Sequence, residues 1–133
     1  MILKKINYLA VLICVVLGII ISMVWYMPFA FGGIWSGITG QPVNGPPVPF
    51  KLIIGIISTV IVVFSIAVIF KLLKSESIFE GILIGIIIAI GIIAAVCLPI
   101  NIYNGFDIRL YFIDTGLSVL NIIIYSFILS IWK

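Results

Sequence analysis

Four long apolar runs, each interrupted only by single polar or small residues, dominate the chain. They cover residues 6–27, 52–70, 78–98 and 108–132. Each is near the roughly 20 residues that a helix needs to cross a hydrocarbon core of about 30 Å. Isoleucine and valine are frequent in all four, which in water favours strands. In lipid a segment must satisfy its own backbone hydrogen bonds, and a helix does so without partners. The pattern therefore predicts four membrane-spanning α-helices, the third closed by Pro99.

The polar interruptions are periodic. At about 100° per residue, Asn7, Cys14, Gly18, Ser22 and Trp25 share one face of the first span. Gly55, Ser58, Thr59 and Ser65 form a looser stripe on the second, and Gly81, Gly85 and Ala89 a small-residue ladder on the third. On the fourth, Tyr111, Asp114, Ser118, Asn121 and Tyr125 fall at i, i+3, i+7, i+10 and i+14. Helices in lipid associate through close approach at small residues and through interhelical hydrogen bonds. These stripes are therefore expected to face one another, with isoleucine and valine turned to lipid or to a partner. The ladder at Gly81 and Gly85 fits either internal packing or a homodimer seam. The fold class is all-α, an integral membrane four-helix bundle of antiparallel up-down connection, forming a single transmembrane domain over residues 1–133.

Composition agrees. Of 133 residues, 65% are hydrophobic and 8% charged, against soluble averages of roughly half and a quarter. Mean hydropathy is +1.50. A water-soluble globule of this size has too much surface for its volume to hide so much apolar area. The net charge of +3 comes from basic residues that flank the runs singly or in pairs, a pattern of topology determinants rather than a nucleic-acid face. Lys4, Lys5, Lys71, Lys74 and Lys133 fall on one side of a four-span chain, against Lys51 and Arg109 on the other. That five-to-two bias places both termini in the cytoplasm, N-in and C-in, at the cell membrane.

The first run, with 22 residues after Lys4 and Lys5, is longer than the apolar region of a signal peptide and is read as a retained helix. Cys14 and Cys97 lie toward opposite ends of the bundle, so no disulfide is expected between them. The outer loop at residues 28–49 carries no charge but holds Phe29, Phe31 and Trp35, then Pro42, Pro46, Pro47 and Pro49. Trp25, Tyr26, Trp35 and, at the far end, Trp132 are expected to anchor at the headgroup layer. The stretch 40–49 is expected to be an extended, proline-stiffened return.

Asp114 is the candidate for chemistry. A carboxylate at a helix centre costs about 2.5–3.5 kcal/mol to insert, less toward the interface. It is expected to form a hydrogen bond with Ser22, Tyr26 or Tyr111. The candidate intramembrane polar site is Asp114, Ser118, Asn121, Tyr125, Tyr111, Asn7 and Ser22, and helix packing falls to Gly18, Gly81, Gly85 and Ala89. Glu80 sits at the start of the third helix, where the helix dipole favours it. With no histidine, no acid or thiol cluster at metal spacing, and no nucleophile beside a base, no catalytic residue, cofactor or metal is expected. Expected partners are membrane lipid and other membrane subunits or further copies of the chain. The leading expectation is a non-enzymatic structural or accessory subunit of a larger membrane assembly. The alternative is a small oligomeric transporter or channel using Asp114, Ser118, Asn121 and Tyr125.

Two stretches carry a family resemblance. Asn7-Tyr8-Leu9-Ala10-Val11, followed by Trp25-Tyr26-Met27-Pro28 with Phe31-Gly32 and Trp35, resembles the opening of a family of small bacterial and archaeal membrane proteins, a domain of unknown function. Asn101, Gly105, Phe112-Ile113-Asp114-Thr115-Gly116 and Trp132 resemble its ending, in which Asn or Asp precedes Gly by two residues. The uncharged, proline-rich first loop and the stretch 103–106 depart from the family pattern. The resemblance implies four membrane helices and no established activity.

Overall fold

The computed structural model describes residues 2–42 and 49–132, and among them every regular element is helical. After a short 3₁₀ turn (Ile2–Lys5), α1 spans Tyr8–Trp25. Its start is set by Asn7, whose Oδ1 accepts from the backbone N–H groups of Leu9 at 3.1 Å and Ala10 at 3.2 Å, satisfying donors that have no partner inside the helix. Beyond Trp25 the chain folds back tightly. The Phe31 N–H donates to the Trp25 carbonyl at 3.0 Å, and a side chain at Gly32 would collide with the Tyr26 carbonyl. Only glycine lets that turn close. It leads into α2 (Gly32–Thr39), which ends at Gly40 with φ of 74°, the left-handed conformation typical of a glycine helix stop.

The second span, α3, covers Pro49–Leu72. Pro49 opens it, where the missing N–H costs nothing. The expected extended return at 40–49 therefore gives way to helix at Pro49, and residues 43–48 of it lie outside the described residues. The third span begins with α4 (Ile78–Ile86). Ser77 accepts from the Glu80 N–H at 3.1 Å, while the Glu80 carboxylate accepts from the Glu76 N–H at 3.1 Å, a close variant of the reciprocal capping box. It widens into a π-helical stretch (Ile87–Ala94) and continues as α5 (Ala95–Tyr103). Here the expected stop at Pro99 is corrected: the proline lies inside the helix. In lipid, losing one backbone hydrogen bond is cheaper than ending the helix and exposing several carbonyls. The fourth span, α6 (Ile108–Ile131), is capped by Asp107, which accepts from the Arg109 N–H at 2.8 Å.

Among the described residues four helices are long and apolar enough to cross a membrane: Tyr8–Trp25, Pro49–Leu72, Ile78–Tyr103 and Ile108–Ile131. The last is the central one. In its most apolar window 39% of the residues are buried, against 17% for α3 and for the third span. It packs on both α1 and the third span, whereas α3 leans mainly on α1.

Small residues set the closest approaches. A Cβ added at Gly81 would run into Ser130, one at Gly85 into Ser126, and one at Gly18 into the Tyr125 hydroxyl. The Gly81–Gly85–Ala89 ladder is buried and packs inside the chain. The core joins Ala10, Cys14, Val63, Ile66, Ala89, Ile122 and Tyr125. On α3 it takes in only the second half, through Val63, Ile66, Ala67 and Phe70, while residues 51–58 are all exposed.

Candidate functional site

Asp114, Asn121 and Tyr111 of α6 are held by neighbouring helices. The Tyr26 hydroxyl donates to Asp114 Oδ1 at 2.5 Å. From the adjacent position at the end of α1, the Trp25 indole N–H donates to the Ile113 carbonyl at 3.0 Å. Asn121 donates from Nδ2 to Ser22 Oγ at 3.4 Å, and Ser22 donates in turn to the Gly18 carbonyl at 2.8 Å. On the opposite flank, the Tyr111 hydroxyl donates to the Ala94 carbonyl at 2.7 Å. That carbonyl closes the π-helical stretch just before Pro99, where the ladder is already loosened. Of the three partners expected for Asp114, Tyr26 is the one in contact. Tyr111 serves the third span, and Ser22 serves Asn121.

The predicted stripe divides into three places. Asp114 lies half-buried beneath an aromatic cap, where Trp25 meets Phe31 with ring centroids 4.4 Å apart and Tyr26 meets Trp35 edge-on at 5.6 Å. Ser118, Asn121 and Tyr125 line a cleft with Ser22 and Thr59. Asn7 is at the other end, occupied in capping α1 and bordering a small cavity with Trp132. Asn7 is thus not brought together with the rest of the stripe.

The stripe expected on α3 is also corrected. Ser65, in the packed half, is exposed, and so are Gly55 and Ser58, with Thr59 only half-buried, because the first half of α3 leans away from the bundle. Between it and the third span, over the face of α6, lies the cleft of ≈ 310 Å³ with walls from Ser58, Val62, Ile93 and Leu117. A second cleft of ≈ 320 Å³ shares Ser22 and Thr59 and extends past Tyr26 to Lys51.

Sequence reasoning missed the buried Thr115, Ser126 and Ser130. Ser126 donates to the Ile122 carbonyl at 2.8 Å and Ser130 to the Ser126 carbonyl at 2.6 Å, so both hide their protons and offer small contours to the glycines opposite. Their four-residue spacing, equal to that of Gly81 and Gly85, is the signal that pairs them. Both cysteines are free thiols, Cys14 buried and Cys97 half-buried. Among the described residues no group of three His, Cys, Asp or Glu is placed to hold a metal ion.

Outside the spans, Arg109 grips the cap residue of α6: its Nη2 donates to Asp107 Oδ2 at 2.8 Å. That hydrogen bond holds the Asp107 carboxyl well below its usual range, at about 2.

Fold and composition together define a multi-pass helical membrane protein. Residues 9–130 match the model of the family described as "Protein of unknown function (DUF1761)", and the chain belongs to that family. No curated protein and no solved structure matches it.

Proposed function

We propose that the chain is a non-enzymatic structural or accessory subunit of a larger assembly in the cell membrane. Its four spans run antiparallel, up and down, with both termini cytoplasmic. The observation that carries this reading is the destination of the polar atoms of α6. Tyr111 and Asn121, with Tyr26 onto Asp114, are spent on helix-to-helix hydrogen bonds, as expected of residues that fix a bundle rather than conduct. Large apolar side chains remain exposed along α3 and the third span, among them Ile53, Ile57, Ile61, Ile87, Ile90 and Val96. Lipid or the helices of a partner would cover them. The antiparallel arrangement is supported by pairs whose numbers rise along one helix as they fall along the other: Gly18 with Tyr125, Ser22 with Asn121, Tyr26 with Asp114.

Native mass spectrometry after gentle extraction from the source membrane tests it. A defined complex containing other membrane subunits is the expected result, and a lone chain or a ring of identical copies overturns it. A second reading, a small oligomeric transporter or channel, is favoured by the cleft that Ser118 and Asn121 line between α3 and the third span. It predicts a measurable flux in proteoliposomes that Asp114→Asn abolishes while folding is kept.

A further inference from the structure

The groove between α1 and the leaning half of α3 has an apolar body and a charged mouth. Ile19 and Met23 of α1 and Leu52 and Ile56 of α3 line its cleft of ≈ 320 Å³, and Lys51 stands at its end. Short residues keep it open. Gly55 contributes no side chain, and a Cβ added there meets nothing within 4 Å. The hydroxyls along the cleft are already committed. Ser22 donates to the Gly18 carbonyl and Thr59 to the Gly55 carbonyl, each at 2.8 Å, and Tyr26 donates to Asp114. A hydrocarbon chain lying over them therefore leaves no donor stranded.

The groove also tapers. At one end Tyr8 stacks on Phe64 with ring centroids 6.4 Å apart, and Val63 and Ile66 join the core with Ala10 and Cys14. Toward Lys51 the two helices part, and residues 51–58 are exposed. A further helix, about 10–12 Å across, cannot follow such a wedge to its narrow end, whereas an alkyl chain can. The depth fits as well. The cleft of ≈ 310 Å³ that shares Ser22 and Thr59 carries the groove on to Val62. From Lys51 to Val62 the helix rises about 16 Å. That is close to one leaflet, about half of a hydrocarbon core of about 30 Å.

The mouth selects the headgroup. Of the four acids in the chain, Glu76 and Glu80 lie beyond the opposite end of α3, Asp107 holds Arg109 at 2.8 Å, and Asp114 accepts from Tyr26. Residues 43–48 contain none. Among the described residues no carboxylate comes within ion-pair distance of Lys51. Lys51 is exposed at the head of an apolar groove, where a lipid phosphate supplies both the opposite charge and the acceptors its ammonium lacks.

We propose that this groove binds one anionic phospholipid of the adjacent leaflet, its phosphate on Lys51 and one acyl chain laid between α1 and α3 toward Val62. The site stands apart from the subunit reading and serves a transporter or a subunit equally. The test compares two lipids on the full chain in phosphatidylcholine nanodiscs. One is a phosphatidylglycerol with a photoactivatable diazirine in its acyl chain, and the other is a phosphatidylcholine with the same chain, which masks its phosphate with its own cation. The anionic probe is expected to label Met23 and Ile56 about fivefold more, the weight of one lysine against anionic lipid. Lys51→Gln, at an exposed helix end, is expected to bring both probes to the same level. Gly55→Phe is expected to fill the groove and lower labelling by both. Equal labelling by the two probes overturns the proposal, as does a preference that survives in Lys51→Gln. A preference of the same size at the exposed Val96 of the third span overturns it in favour of unspecific lipid contact. Undiminished labelling in Gly55→Phe places the lipid outside the groove and overturns it too. Cross-links that join two copies of the chain at Met23 and Ile56 overturn it by assigning the groove to a dimer seam.

Discussion

Tyr26 and Asp114 stand 88 positions apart in sequence yet share a hydrogen bond of 2.5 Å, and the carboxyl is tolerated near the end of α6 because α1 delivers a hydroxyl to it. Hydrogen bonds between membrane helices contribute about 0.6 kcal/mol on average and up to about 1.7. Tyr26→Phe is expected to lower the unfolding free energy in detergent titration by about 1 kcal/mol. Asp114→Ala should cost a similar amount, and the double variant clearly less than the sum. Strict additivity would mean that the two groups do not communicate. At the same end of α6, Asp107 titrates against Arg109. A carboxyl lowered from 3.8 to about 2 by its folded-state partner stabilises the fold above its ordinary value. That contribution is lost as the pH falls through about 2. NMR titration of the Asp107 carboxyl in micelles should show a midpoint near 2, returning toward 3.8 in Arg109→Gln.

Glycines at the helix level separate close approach from mere patterning. At Gly81 and Gly85 an added methyl meets Ser130 and Ser126, whereas at Gly55 it meets nothing within 4 Å. Gly81→Ala and Gly85→Ala are each expected to destabilise by about 1–3 kcal/mol, the usual range for overpacking. Gly55→Ala should stabilise by about 0.5–1 kcal/mol, because a helix interior disfavours glycine. Thermal or detergent unfolding of the three variants checks the opposite signs. The same contrast explains what the sequence could reveal. The four spans and the packing face of α6 were legible because polar groups in lipid favour protein partners, and periodicity tells which face holds them. The stripe on α3 reads alike but lies largely exposed, since a stripe reports which face can pack, not whether the helix leans in far enough. Pro99 misled for a related reason. Its power to stop a helix is calibrated in water, where the freed carbonyls are solvated.

For the molecule as a whole, the decisive property is which ends share a side. The antiparallel reading puts Gly37 and Asn104 beyond one end of the bundle and Glu76 beyond the other, and all three are exposed. Basic residues supply the sign. Lys71 and Lys74 close α3 while Lys51 alone opens it, and positive charge resists transfer across the membrane. In a Cys97→Ala background, Gly37→Cys and Asn104→Cys are expected to react with a membrane-impermeant maleimide in intact cells, and Glu76→Cys only after the membrane is opened. The buried Cys14 should stay silent throughout. The reverse pattern would invert the bundle and leave its packing untouched, because pairs such as Gly85 with Ser126 do not depend on orientation. Labelling of all three in intact cells would be more damaging. It would deny the membrane crossing itself, and with it the reason why Asp114, Asn121 and Tyr111 turn toward their neighbours.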